Sequence, residues 1–175
     1  ACAFGLGSLL GFLAATMGGW VDQVLSRFVD VVISIPTLIF ALIVLSSTGT
    51  SILALVTVIA IIYAMPVYRI ARAVAMDIEV MDYVEAARLR GEGLWWIMRK
   101  EILPNALTPL AAEFGLRFCF VFLLISGLSF LGLGLQPPLA DWGAMVRDNG
   151  GGIAWGFMHP LVPATCIALL TIGIN

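Results

Sequence analysis

Long unbroken apolar runs, not alternation, dominate this chain. Five of them, at roughly 1–17, 29–48, 51–68, 109–134 and 159–175, approach or exceed the length needed to cross a bilayer, which is about 20 apolar residues for about 30 Å of hydrocarbon. Continuous runs favour helices over a β-barrel, and each helix satisfies its own backbone donors and acceptors in lipid. The pattern therefore predicts an all-α, polytopic transmembrane helical bundle. Between the third and fourth runs lies a stretch of different character, 69–106. Ile70, Val74, Ile78, Met81 and Val84 recur there at three- and four-residue spacing, which predicts a helix with one apolar stripe. Tyr83-Val84-Glu85-Ala86-Ala87-Arg88-Leu89 continues it, Gly91 and Gly93 interrupt it, and a second short helical run from Leu94 to Glu101 ends ahead of Pro104. A helix, a glycine turn and a helix are thus expected to project from the bilayer, since two spans need far fewer residues to be joined.

Composition supports the membrane assignment. Hydrophobic residues make up 61% of the chain, charged residues 11%, and the mean hydropathy is +1.06, whereas soluble domains carry about 45–50% apolar and about 25% charged residues. The formal charge of −2 gives no basic surplus for phosphate backbones, so nucleic acid is excluded as a partner. Six of the nine basic residues, Arg69, Arg72, Arg88, Arg90, Arg99 and Lys100, fall in 69–106, which places that stretch in the cytoplasm by the positive-inside rule. Alternation then puts Trp20–Arg27 inside, and Ser47–Thr50 and 135–158 outside. Trp20, Trp95, Trp96, Trp142 and Trp155 all lie in connections, as interfacial anchors do. Cys2, Cys119 and Cys166 are far apart in apolar runs and read as buried small hydrophobes. Gly7-Ser8-Leu9-Leu10-Gly11 is a small-xxx-small face suited to packing within the bundle. The chain opens on Ala1 without a signal-peptide pattern and closes inside the apolar run 167–174, so a segment of a longer membrane protein is expected.

The inventory for catalysis is thin. His159 is the single histidine, which excludes a multi-histidine metal or haem centre. Ser126 and Ser129 lie in an apolar span, and Ser129 with His159 is the one pairing open to an intramembrane serine hydrolase. Gly127-Leu128-Ser129-Phe130-Leu131 lacks the second glycine of a nucleophile elbow. The only lysine, Lys100, follows Met98-Arg99 and not a glycine-rich loop, so the chain does not hydrolyse ATP by itself. No cofactor, metal site or catalytic residue is expected. Glu113 and Arg117 stand four apart early in the fourth run; at membrane depth such groups either neutralise one another or face a cavity, which leaves Arg117 as a candidate for the substrate path. Asp141 is placed to cap a short amphipathic helix containing Met145 and Val146.

One pattern in 69–106 is specific. Glu85-Ala86-Ala87, then Gly91, then Ile102-Leu103-Pro104-Asn105 resembles the EAA loop of ATP-binding-cassette importer permeases, with Glu101 standing where the general pattern has an aliphatic residue. Gly127-Leu128-Ser129-Phe130-Leu131-Gly132-Leu133-Gly134-Leu135-Gln136-Pro137-Pro138 with Asp141-Trp142-Gly143, and Ile35-Pro36 after Arg27 and Asp30, are similar to the peptide/nickel branch. Together these matches cover roughly 20–160 and point to its C-type inner-membrane subunit. The resemblance implies a permease domain over 1–175, truncated at both ends, with five of six spans present and 69–106 as its cytoplasmic coupling loop. It assigns ATPase coupling to Tyr83, Glu85, Ala86, Ala87, Gly91, Leu103 and Pro104. It also implies a homologous permease subunit, two ATP-binding cassette ATPase subunits, a periplasmic or extracellular substrate-binding protein, and a bacterial or archaeal plasma membrane. The expected activity is import of dipeptide, oligopeptide, glutathione or nickel by alternating access. An intramembrane serine hydrolase and an ATP-independent channel are the rival readings.

Physical chemistry gives the loop a sense of its own. A membrane subunit driven by a separate motor needs a rigid protrusion that fits a groove on it. Small side chains permit close approach, glycine permits a sharp turn, and Glu85 offers a charge to a partner arginine. The competing local explanation is that Glu85 pairs with Arg88 one turn on, a contact worth only about 0.2–0.5 kcal/mol.

Overall fold

The computed structural model describes residues 1–174, and no strand occurs among them. Nine α-helices follow in order: α1 (Cys2–Met17), α2 (Gly19–Ser34), α3 (Thr37–Thr48), α4 (Ile52–Glu79), α5 (Asp82–Leu89), α6 (Leu94–Ile97), α7 (Leu103–Phe130), α8 (Trp142–Asn149) and α9 (Leu161–Ile174). The chain forms two compact units, Ala1–Ile35 with Ala60–Phe114, and Pro36–Ile59 with Gly115–Asn175. Two stretches, Ile52–Glu79 and Leu94–Phe130, are long and apolar enough to cross a membrane, a third is counted where the bent pair of α2 and α3 is taken as one span, and α1 and α9 are shorter apolar helices.

Each of the five apolar runs falls on helix, but three boundaries differ from expectation. The second run does not start at residue 29. Its helix begins at Gly19, so Trp20–Arg27 is helical and not a connection, and it stops at Ile35, whose extended backbone (φ −81°, ψ 126°) precedes Pro36. A residue before proline is pushed out of the helical region, and proline removes a backbone donor. The apolar stripe from Ile70 to Leu89 is likewise not one helix: α4 runs through to Glu79, and the extended Met81 (φ −80°, ψ 142°) separates it from α5. Nor does the run from Leu94 stop before Pro104. A π-helical turn at Met98–Ile102 joins α6 directly to α7. Proline in a helix loses one hydrogen bond and crowds the carbonyl four residues earlier, here Lys100, and a π turn is one of the ways a helix absorbs such a conflict.

In the first unit, α1 packs on α4 through the small-residue face. A Cβ on Gly7 would lie 2.4 Å from the Ala64 carbonyl oxygen, and one on Gly11 would lie 2.7 Å from that of Tyr68. The face is thus used within the chain, as its spacing predicts. Ala14, Val29, Met65 and Tyr68 form one buried cluster among α1, α2 and α4. A larger one joins Phe12 and Ala15 of α1, Ala71, Ala75 and Ile78 of α4, Val84 and Ala87 of α5, and Ile97, Ile102, Ala106 and Leu110 of the α6–α7 stretch.

In the second unit, α7 is closed after Phe130 by a Schellman turn at Gly132 (φ +85°): the Gly132 amide donates to Ser129 O (3.0 Å) and the Leu133 amide to Leu128 O (2.9 Å). Gly134 and Gly143 then fold onto the same end of α7, where a Cβ would meet Ser129 Oγ at 1.8 Å and Ser126 O at 2.1 Å respectively. The α8 helix starts at Asp141, whose carboxylate accepts from the Ala144 amide (3.3 Å), so the expected cap is present. Trp142 packs edge-on against Phe122, and Arg147 Nη1 donates to Ser129 O (3.4 Å). Cys119 is buried, as expected, with its thiol against Thr171 O (3.5 Å). Cys2 is exposed, contrary to the reading of all three as buried.

Candidate functional site

The hairpin formed by α5, its glycine turn and α6 brings the EAA-type residues together. Its inward face is apolar: Val84 and Ala87 are fully buried against Ala75 and Ile78. The three-residue spacing of Val84 and Ala87 decides which residues remain outside. Tyr83, Glu85, Ala86 and Leu89 are exposed, Leu89 to 83%. The two alanines therefore have different environments. Ala86 lies on the open face, while Ala87 seats the helix in its own core.

Glu85 does not pair with Arg88. The Arg88 guanidinium instead binds Glu79 at the end of α4, and among the described residues Glu85 makes no ion pair. An exposed carboxylate beside an alanine on a helix whose opposite face is anchored is available to an outside cation. The turn that follows is a Schellman motif. Gly91, at φ +83°, donates its amide to Arg88 O (2.9 Å), and the Glu92 amide donates to Ala87 O (3.2 Å). No heavy atom lies within 4 Å of a Cβ built on Gly91. Its glycine requirement within this chain is consequently one of backbone conformation and not of space.

Leu103 and Pro104 are exposed at the start of α7, after the π turn that buries Met98 and Ile102. Beside them an apolar groove of about 710 Å³ runs between α1 and the α6–α7 stretch. Phe4, Phe12, Leu107 and Phe114 line it, and Arg99 is its only charged lining residue. Such a surface lacks the convergent polar groups that a peptide or metal site needs. Arg117 does not line it; its guanidinium lies 5.9 Å from the Phe120 ring centre.

The serine-hydrolase reading does not survive. Ser129 is 1% exposed, and the backbone at Gly134 is packed directly over its hydroxyl, so no substrate carbonyl can reach it. Among the described residues Ser129 makes no side-chain hydrogen bond, and His159 packs against Phe157 at 5.6 Å between ring centres. The glycines of the 127–143 motif, packed on Ser126 and Ser129, build the junction between α7 and α8.

Sequence reasoning missed the polar contacts that hold α2 to α4. Arg72 binds both carboxylate oxygens of Asp22, and Ser26 Oγ lies 3.0 Å from the Tyr68 hydroxyl. These partners are 50 and 42 residues apart. A stripe of Tyr68, Arg72 and Glu79 on one helical face was the available signal.

Comparison with known proteins agrees with this architecture. Residues 7–175 match the model of the binding-protein-dependent transport system inner membrane component family. Over 171 residues the chain is 34% identical to the probable D,D-dipeptide transport system permease protein DdpC of Escherichia coli, covering 97% of this chain and 57% of that protein. It is 30% identical to the glutathione transport system permease protein GsiD of Pectobacterium atrosepticum, covering 97% and 56%. The di/tripeptide transport system permease protein DppC of Pseudomonas aeruginosa is 34% identical, again over 97% and 56%. The chain thus spans a little over half the length of these relatives. A helical, membrane-embedded chain whose match extends over nearly all its residues, this protein belongs to the inner-membrane permease family of binding-protein-dependent transport systems.

Proposed function

We propose that this chain is the core of a permease subunit in an ATP-driven importer, and that it moves peptides or related small solutes across a bacterial or archaeal plasma membrane by alternating access. The permease domain covers 1–175, and 69–106 is its cytoplasmic coupling segment. The observation that carries this reading is the hairpin itself. Glu85 and Ala86 are open, Val84 and Ala87 are buried beneath them, and Gly91 closes a Schellman turn. A helix anchored on one face and bare on the other, with an unpaired carboxylate, suits insertion into a groove on a separate protein.

Two ATP-binding cassette subunits supply the motor, a homologous permease completes the pathway, and an external binding protein delivers the solute. Tyr83, Glu85, Ala86, Gly91, Leu103 and Pro104 form the contact with the ATPase, and Ala87 seats it. Arg117 contributes to the substrate path. The dipeptide, di/tripeptide and glutathione systems named among the relatives support this solute class. Switching between two access states requires interactions that differ between them by a few kcal/mol, and nucleotide-driven movement of the ATPases against this hairpin provides that difference.

The test is solute uptake by vesicles carrying the complete transporter, with and without its ATPase subunits. Uptake is expected only with both ATPase and ATP. Glu85→Lys is expected to abolish uptake while membrane insertion persists. Uptake without nucleotide, or normal uptake by the Glu85→Lys transporter, refutes the coupling reading.

A further inference from the structure

The α4 helix presents three polar groups on one face. Tyr68, Arg72 and Glu79 are separated by four and seven residues, and a seven-residue step is about two turns and about 10 Å along the axis. At the lower end Glu79 binds Arg88 of the coupling helix α5. At the upper end Arg72 binds Asp22 of α2 in a two-pronged pair. Ser26 Oγ donates to Asp22 Oδ1 (3.4 Å), which leaves Tyr68 as the donor in its 3.0 Å contact with Ser26. The side chains of Asp22 and Arg72 are only 20% and 28% exposed, so solvent screens them less than a surface pair.

The apolar clusters around these groups hold the same helices together, but apolar burial is non-directional. Ala71, Ala75 and Ala87 are buried in these clusters and offer no polar group that would add a directional contact. The two-pronged Arg72–Asp22 pair fixes both register and angle, and the single Arg88–Glu79 contact adds a directional tie between α5 and α4. We propose that Asp22, Arg72, Glu79 and Arg88 are positioning residues for energy coupling: the pair at Glu79 locks α5 to α4, the pair at Arg72 locks α4 to α2, and displacement of the hairpin is thereby carried into the membrane helices. This inference rests on the coupling function proposed for the hairpin.

The experiment uses the complete transporter in vesicles, measuring solute imported per ATP hydrolysed and the amount of ATPase that co-purifies. Asp22→Asn and Arg88→Gln are expected to lower the solute-to-ATP ratio by about five- to tenfold, within the usual range of coupling between sites, with ATPase still bound at the wild-type amount. The exchanged pair Asp22→Arg with Arg72→Asp is expected to recover most of the ratio. An unchanged ratio overturns the inference. So does a loss of assembled complex with a normal ratio in what remains, because that outcome marks these pairs as structural only. Glu85→Lys is run in parallel. If it transports normally, the hairpin reading itself fails; if it stops transport while Asp22→Asn keeps the wild-type ratio, only the relay is overturned.

Discussion

Replacing Gly91 separates two reasons for a glycine at the turn proposed to contact the ATPase. The residue sits at φ +83°, and a Cβ there meets nothing within 4 Å. A non-glycine residue in this region costs about 1–2 kcal/mol, and a β-branched one more. Gly91→Val is therefore expected to disfavour the Schellman turn by at least this amount, lowering the ratio of formed to unformed turn at least about 5–30-fold. Affinity for the ATPase falls with the competent fraction. Asparagine tolerates the left-handed region, so Gly91→Asn is expected to bind within about twofold of wild type by the same conformational argument. Binding of purified ATPase to the solubilised permease pair, titrated for each variant, measures the difference. If Asn proves as damaging as Val, conformation is not the cause, and the glycine is instead required for close approach of the partner. If neither variant weakens binding, the turn does not present the contact.

Two further outcomes follow from the glycines and serines of the helices. Gly5 and Gly11 share α1, but a Cβ is unopposed at Gly5 and meets the backbone of Tyr68 and Arg72 at 2.7 and 2.8 Å at Gly11. Gly5→Ala should stabilise the detergent-solubilised protein by up to about 1 kcal/mol through helix propensity, and Gly11→Ala should destabilise it by about 1–3 kcal/mol through overpacking. Thermal melts in which both shift the same way would contradict the α1–α4 packing. Ser129→Ala removes a buried hydroxyl that makes no hydrogen bond among the described residues, so stability and uptake should stay near wild type. A tenfold or greater loss of uptake, roughly 1.4 kcal/mol in free-energy terms, would return Ser129 to a working role.

Features encoded over a few neighbouring residues were legible in the sequence. The apolar runs located the helices, the acidic residue ahead of Trp142 located a cap, Gly91 located a turn, and Gly7 with Gly11 located a packing face. Boundaries set by competition were not. The stripe through Ile70, Val74, Ile78 and Val84 fits one long helix, but breaking it at Met81 lets Val84 and Ala87 fold back against Ala75 and Ile78. Tertiary burial there outweighs local periodicity. The π turn at Met98–Ile102 similarly keeps the chain helical through Pro104, where a proline rule alone predicts a stop. Least visible were the contacts of Asp22 with Arg72 and of Ser26 with Tyr68, because local patterning does not specify which distant helix a polar side chain will meet.

The same distinction bears on the candidate site. Spacing marked Glu85, Ala86, Ala87 and Gly91 as a group, yet it could not distinguish the exposed Ala86 from the buried Ala87 or assign Arg88 to Glu79. Both points matter for mechanism. An α5 tied to α4 through Arg88 in its last turn and bare along its outer face is suited to transmit force, whereas a helix stabilised only by its own neighbouring charges would move freely.

Cross-linking from the outer face of α5 tests the central claim most directly. With Cys2, Cys119 and Cys166 replaced by alanine, a Glu85→Cys permease in the assembled transporter should form a cross-link to the cassette ATPase and resist a membrane-impermeant thiol reagent added from outside the cell. Labelling of that cysteine from the outside, with no cross-link to an ATPase, would contradict the account.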